Sequence, residues 1–276
     1  MQFGVTWSPD VQFIAYSSDR GGKFDIWVQQ VVAINPVKIT SRAGHNWQPD
    51  WVYPFDAMTG RFSPSGRPVT PVGVDAWMPD LSRDGKKLLY VAQRAGKWEL
   101  WEKLLENGQE ILLANDGRHR GVPRWSPDGK RLSSNEWILP SIPPMLMPAG
   151  GGEEEPVTSK SFECGLWDWS PDGDSLLASH LTSGQERWWS GYLLISLPLS
   201  AAPLADTHAR LITSSRTDGL FEPHFSPDGR WVVFEAVKGG VVAGDSAENA
   251  ALYVVAASGG TWIPITDGKS WDDKPR

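Results

Sequence analysis

Residues 125–129 read Trp-Ser-Pro-Asp-Gly, and this pentad decides the fold because it recurs along the chain. Within it, Pro127 presets φ for the second position of a type I turn, Asp128 bonds the local backbone, and Gly129 takes the left-handed conformation that closes a hairpin. The aromatic residue in front ends one strand and packs between neighbouring units. Copies stand at Trp7-Ser8-Pro9-Asp10, Leu81-Ser82-Arg83-Asp84-Gly85, Trp169-Ser170-Pro171-Asp172-Gly173 and Phe225-Ser226-Pro227-Asp228-Gly229.

Counted between serines 8, 82, 126, 170 and 226, the spacings are 74, 44, 44 and 56 residues. The first interval hides a degraded copy, Gln48-Pro49-Asp50-Trp51, in which Val52-Tyr53-Pro54 replaces the turn. Trp51 follows Trp7 by 44 residues but precedes Leu81 by only 30, so this unit has lost a strand or two. After each turn comes a short apolar strand, as in Phe13-Ile14-Ala15-Tyr16, Leu88-Leu89-Tyr90, Leu176-Leu177-Ala178 and Trp231-Val232-Val233-Phe234. A polar turn follows, clearest in Ser18-Asp19-Arg20-Gly21-Gly22, and then a third strand: Asp25-Ile26-Trp27-Val28, Trp98-Glu99-Leu100-Trp101, Leu252-Tyr253-Val254-Val255. A Gly-rich turn and a fourth strand close the unit, as in Gly259-Gly260-Thr261-Trp262-Ile263-Pro264-Ile265-Thr266.

Four short strands per unit of roughly 44 residues is the period of a β-propeller blade. No segment shows sustained helical periodicity, and a β-sandwich does not repeat one hairpin signature at constant spacing. The expectation is one all-β propeller domain of four-stranded antiparallel blades, about six of them with one degraded, over residues 4–40, 46–74, 77–115, 121–159, 165–215 and 221–268. Residues 269–276, Lys-Ser-Trp-Asp-Asp-Lys-Pro-Arg, read as the lead-in to a further pentad. Two readings stay open: a fragment of a longer protein with an incomplete ring, or a closed ring in which 269–276 pair with the first or last blade. An open ring would leave strand edges that invite oligomerisation.

The order Trp-Ser-Pro-Asp-Gly, apolar strand, Ser-Asp-Arg-Gly, Asp-Ile-Trp-Val, Gly-Gly turn resembles the TolB-type propeller repeats, also called WD-like or PD-type repeats. The first copy resembles them nearly throughout and departs only at Val11, where glycine is expected. The resemblance covers essentially the whole chain. Such repeats occur in the periplasmic TolB protein, in front of prolyl-oligopeptidase-type serine peptidases, and behind kinase or winged-helix modules of bacterial signalling proteins. The resemblance therefore implies a fold, often in an extracytoplasmic setting, and says little about function.

Composition narrows the rest. The 276 residues carry a net charge of −7 with no Lys/Arg block, which argues against a nucleic-acid partner. No run of 18 apolar residues is present, so no membrane span is expected, and residues 1–7 lack the charged and apolar regions of a signal peptide. Cys164 is the only cysteine, which excludes an internal disulfide or a Cys-based zinc site; it reads as a small residue near a strand. The 16 tryptophans fit a repeat that uses the same aromatic position again and again.

In a propeller the innermost strands line the central channel. Aligning the segments that lead into them puts Thr6, Asp50, Asp80, Arg124, Asp168, His224 and Arg276 at one equivalent position, turned away from the aromatic neighbour by the period-2 alternation. Such a ring suits a cation, a charged peptide end or ordered water; it is also what a wet channel looks like. The lead-in loops carry Trp47, Trp77, Trp167, Phe221 and Trp271, beside Asn46, Asp75, Glu222 and Asp272, suited either to peptide or sugar recognition or to wedging between blades. Trp188-Trp189 is an interaction patch or the packing of a longer insertion. None of the five histidines (His45, His119, His180, His208, His224) forms a metal-spaced pair, though His45, His119 and His224 fall in or beside lead-in loops. Glu153-Glu154-Glu155 reads as surface charge on a turn. G-x-S-x-G, G-x-G-x-x-G and P-loop patterns are missing, so no catalytic residue, metal or cofactor is assigned.

The function read from these residues is a non-catalytic propeller that binds a protein or peptide partner, or the sensor part of a larger protein. The rivals are a propeller enzyme, a metal-assisted lyase or hydrolase with a channel-mouth site, and the gating propeller of a prolyl-oligopeptidase-type peptidase.

Overall fold

The computed structural model describes residues 5–31, 35–40, 70, 75–136, 142–180, 193–238 and 250–268. Within them the pentad builds the same hairpin each time. In Leu81–Gly85, Ser82 N–H donates to Lys87 O at 2.9 Å, and Gly85 N–H donates to Ser82 O at 2.7 Å. The Ser82 hydroxyl donates to Asp84 Oδ1 at 2.7 Å and accepts from Lys87 N–H at 2.9 Å. Ser126/Asp128, Ser170/Asp172 and Ser226/Asp228 repeat this arrangement. The serine is thus spent on closing the turn and the aspartate on orienting the serine.

Each turn joins the first two strands of a four-stranded antiparallel sheet. Blade A holds β1 (Val5–Trp7), β2 (Phe13–Ser18), β3 (Asp25–Gln30) and β4 (Val37–Lys38). Blade B holds β5 (Asp75–Leu81), β6 (Lys87–Arg94), β7 (Lys97–Leu104) and β8 (Glu110–Ala114). Blade C holds β9 (Arg120–Trp125), β10 (Arg131–Glu136), β11 (Met145–Pro148) and β12 (Glu155–Pro156). Blade D holds β13 (Cys164–Trp169), β14 (Ser175–His180), β15 (Leu193–Pro198) and β16 (Arg210–Ser214). Blade E holds β17 (Gly219–Phe225), β18 (Trp231–Val237), β19 (Ala250–Ala256) and β20 (Ile263–Pro264).

The described residues therefore form five blades, which corrects the sequence-based count of about six. The expected damaged unit, 46–74, lies outside them apart from Thr70, as do residues 269–276 and Trp188-Trp189. No helix among the described residues is long and apolar enough to cross a membrane.

The cores lie between blades. Leu89, Val91 and Leu100 of blade B meet Trp125, Leu132 and Met147 of blade C. Leu146 and Val157 meet the blade D residues Cys164, Leu166 and Trp169, and Leu177, Leu194 and Ile212 meet Leu220, Val232 and Phe234 of blade E. Blade E packs in turn on blade A, through Val233, Leu252 and Val254 against Val5, Trp7, Ile14 and Tyr16. The pentad aromatic reaches back to the preceding blade each time. The Trp169 indole N–H donates to Ser133 Oγ of blade C at 3.0 Å, and that of Trp7 to His224 O of blade E at 3.3 Å. Blade A thus stands toward blade E as blades C, D and E each stand toward the one before. Among the described residues no strand of one blade joins the other's sheet across this seam, since every sheet is built from strands consecutive in sequence; core packing and side-chain hydrogen bonds hold it. Burial pushes the Cys164 thiol up to about 12, with the Asp206 carboxylate adding to the effect.

Candidate functional site

The innermost strand of each blade is a sheet edge, where proline is tolerated because no neighbour needs its missing N–H. Three of these strands carry it one residue before the ring position: Pro79 before Asp80, Pro123 before Arg124 and Pro223 before His224. The residue ahead of each proline has a left-handed backbone, with φ of 53° at Met78, 47° at Val122 and 46° at Glu222. The register with the second strand slips at the same places. These are β-bulges, which re-aim the following side chain. In blade D, Trp167 takes the place of the proline and the register still shifts, between Leu166 and Asp168.

The re-aimed side chains stitch the blades together. Asp80 Oδ2 accepts the N–H of Trp125 in blade C at 2.7 Å, and Asp168 Oδ2 accepts the N–H of Phe225 in blade E at 2.9 Å. The other Asp168 oxygen takes the N–H of Trp169 at 2.8 Å. Between these two aspartates stands Arg124, whose Nε–H donates to Trp167 O of blade D at 3.2 Å while Nη1 lies 3.5 Å from Asp80 Oδ1. His224 Nδ1 lies 3.6 Å from Asp168 Oδ2. Around four consecutive blades the ring therefore runs Asp, Arg, Asp, His, each side chain between 17% and 24% exposed.

A groove of about 290 Å³ opens over this ring, walled by Asp80, Arg124 and Asp168 and by the pentad turns of blades B to E. Arg83 stands on its rim, where the other turns have proline. That substitution was a signal readable in the sequence, yet the alignment of lead-in segments passed over it. Asn135, also missed, fixes the next blade's bulge: its amide donates to Leu166 O at 2.8 Å and accepts Leu166 N–H at 2.9 Å. Nothing in the spacing marks Asn135, because its partner is brought to it only by blade packing.

The described lead-in aromatics do not gather in this groove. Trp167 is buried and its indole donates to Ser179 Oγ at 2.8 Å, inside its own blade. Trp77 lies across the bulge from Asp80 and stacks on Trp98 at 4.9 Å, and His119 lies tilted against Trp98 at 5.4 Å. Phe221 and Glu222 are fully buried. His119 and His224 thus occupy different places, and no group of three His, Cys, Asp or Glu side chains among the described residues has metal-binding geometry. Trp47, Asp50, His45, Trp271 and Arg276 lie outside the described residues. In the turn at Glu153–Glu155 the first and last glutamates are exposed, as read from the sequence, but Glu154 corrects that reading: its side chain is only 8% exposed and pairs with Arg120 at 2.8 Å and with Arg118. With Asp116, these residues tie the connection between blades B and C to blade C.

No family model matches the chain. Over 196 residues it is 24% identical to the uncharacterized peptidase YuxL of Bacillus subtilis (strain 168), a match that takes in 57% of this chain and 29% of that protein. The chain thus spans less than a third of the relative it matches. Among solved structures, oligogalacturonate lyase in complex with manganese superposes with a TM-score of 0.63 at 16% identity, covering 94% of this chain and 75% of the lyase. TolB from Acinetobacter baumannii gives 0.57 at 20%, covering 98% and 56%; a putative TolB from Agrobacterium tumefaciens gives 0.57 at 17%, covering 99% and 90%. At these identities the likeness is one of fold, the β-propeller, and TolB propellers are among the structures that share it.

Proposed function

We propose that this chain is a recognition propeller, a non-catalytic module that binds a polypeptide segment in the groove above the Asp80–Arg124–Asp168–His224 ring. The observation that carries the reading is the use made of the ring. Its two carboxylates are held by backbone N–H groups of the next blade, so they are fixed as structure and are poorly placed for proton transfer or nucleophilic work. What remains is a rigid polar recess set in apolar turn residues, the composition of a recognition site.

The test is selection of random twelve-residue peptides on the immobilised protein, followed by titration of the winners against the wild type and Arg83→Ala. Saturable binding that weakens in the variant, with the peptides recovered intact, supports the reading. Cleaved peptides, or winners indifferent to the groove, overturn it.

A second reading is favoured by the stretch shared with the peptidase-named relative: a propeller that screens substrates for an attached hydrolase domain. The coding sequence beyond codon 276 tests it, since a hydrolase domain with a G-x-S-x-G elbow is required there.

A further inference from the structure

We propose that the groove is a carboxylate site, taking either the C-terminal carboxylate of a peptide or an Asp or Glu side chain within one. The proposal rests on the polypeptide-binding reading above and adds the chemical group that is bound.

It follows from the donors and acceptors that face the groove. Both Asp168 oxygens and Asp80 Oδ2 already accept backbone N–H groups, and the remaining Asp80 oxygen faces Arg124. The four carboxylate oxygens of the ring are therefore each engaged within the protein, three by backbone N–H groups and one by Arg124, while the donors beside them are only partly used. Arg124 has five N–H groups in a planar fork; Nε and Nη1 reach Trp167 O and Pro79 O, at 3.2 and 3.5 Å, while Nη2 has no partner among the described residues. Arg83 is exposed on the rim, with no hydrogen bond or ion pair among the described residues. The His224 ring, 17% exposed, turns Nδ1 toward Asp168 Oδ2 at 3.6 Å and lies outside the groove lining. A ligand entering here meets spare donors on two guanidiniums, beside carboxylates whose oxygens each already have a partner within the protein.

An acceptor-rich planar anion fits that set, and a guanidinium fork matches a carboxylate in geometry as well as charge. The net charge of −7 opposes long-range attraction of an anion. At physiological salt the field is screened beyond about 8 Å, so the charges of the groove itself decide the outcome: there Arg83 and Arg124 offset Asp80 and Asp168, and of these four only the two arginines have hydrogen-bond donors to offer.

The experiment is an NMR titration of the isotope-labelled protein with three N-acetylated pentapeptides. One is penta-alanine with a free C-terminus, one has a central Glu and a C-terminal amide, and one is neutral penta-alanine amide. The expected result is that an acidic peptide moves the Arg83 and Arg124 side-chain signals and the Trp125 and Phe225 amides, and the neutral amide does not. Arg83→Ala should weaken binding about tenfold, the scale of one hydrogen bond to a charged group. Arg124 also joins blades, so Arg124→Lys is used in place of alanine; it keeps the charge, removes the fork and should weaken binding as well. Which acidic peptide binds separates a chain terminus from a side chain. Equal binding of the neutral amide leaves peptide recognition standing and overturns the carboxylate assignment. Acidic peptides that bind indifferently to both arginine variants overturn it too. If none of the three peptides perturbs the groove at 10-millimolar order (roughly the weakest affinity a single charged contact yields), the carboxylate assignment fails, and the display selection alone decides the broader reading.

Discussion

Asp25 shows how much a single side chain does in one of these repeats. Its carboxylate is completely buried, and on it converge Lys23 at 2.5 Å, Lys38, and the Thr40 hydroxyl at 2.8 Å, which in turn accepts the Ile26 N–H. Burial by itself would raise the carboxyl, but these donors outweigh it and hold it well below its ordinary value of 3.8. A group whose folded pKa is depressed adds stability above its unfolded pKa and loses it as pH falls from there. The lysines are about a third exposed, which screens their share. Asp25→Asn should therefore cost about 1–3 kcal/mol at pH 7. The gap to wild type should narrow by about 1 kcal/mol at pH 3, where the unfolded carboxyl is already mostly protonated. Urea midpoints at the two pH values measure this; a gap that does not change with pH would mean the ion cluster is not what Asp25 supplies. The Asp-Ile-Trp-Val motif was plain in the sequence. Its lysine and threonine partners were not, because they come from the neighbouring turn and from the strand hydrogen-bonded to it.

The pentad turn is the element that repeats with least variation, and its glycine is required by conformation. Gly129 has φ of 69°, with nothing within 4 Å of where a Cβ would sit. Gly129→Ala should thus cost only the left-handed penalty, about 1 kcal/mol, a fall in Tm of about 2–4 °C for a domain of this size. Gly129→Asn should recover part of it, since asparagine tolerates this region. A melting temperature unmoved by alanine would show that the turn relaxes. Blade A already carries a strained version, with Val11 at φ 61° in the place of that glycine. The bulges, by contrast, were only half legible. Pro79, Pro123 and Pro223 are visible in the sequence, but that they re-aim the next residue onto the following blade depends on the sheet edge at which they stand.

On the scale of the whole molecule the seam between blades E and A is the informative place. It joins the two segments most distant in sequence, through Trp7 and Tyr16 against Val233, Leu252 and Val254, and through the Gln29 amide donating to Ile265 O at 2.8 Å. Repeat arrays hold together by nearest-neighbour interfaces and open locally where one is weakened. Trp7→Ala removes a buried indole, a change of about 3–5 kcal/mol in a packed core. Hydrogen exchange should accelerate in β2, β3 and β19 while β14, one interface beyond the seam, and β10, two beyond, keep their protection. Uniform acceleration across all five blades would instead show that the ring unfolds as one unit.

The sequence by itself determined the blade, because turn chemistry and the two-residue period act over a few neighbouring residues and leave a pattern at every repeat. It likewise placed Asp80, Arg124, Asp168 and His224 at one equivalent position. Only the tertiary structure decided what those side chains do. Whether an aspartate faces solvent or accepts the N–H of a residue 45 or 57 positions away depends on how one twisted sheet packs on the next. For the same reason Trp167 and Trp77, alike in the lead-in segments, part company: one closes a buried hydrogen bond and the other stacks on Trp98. Local sequence sets the backbone and so the position; the partner comes from another blade, and packing alone brings it there.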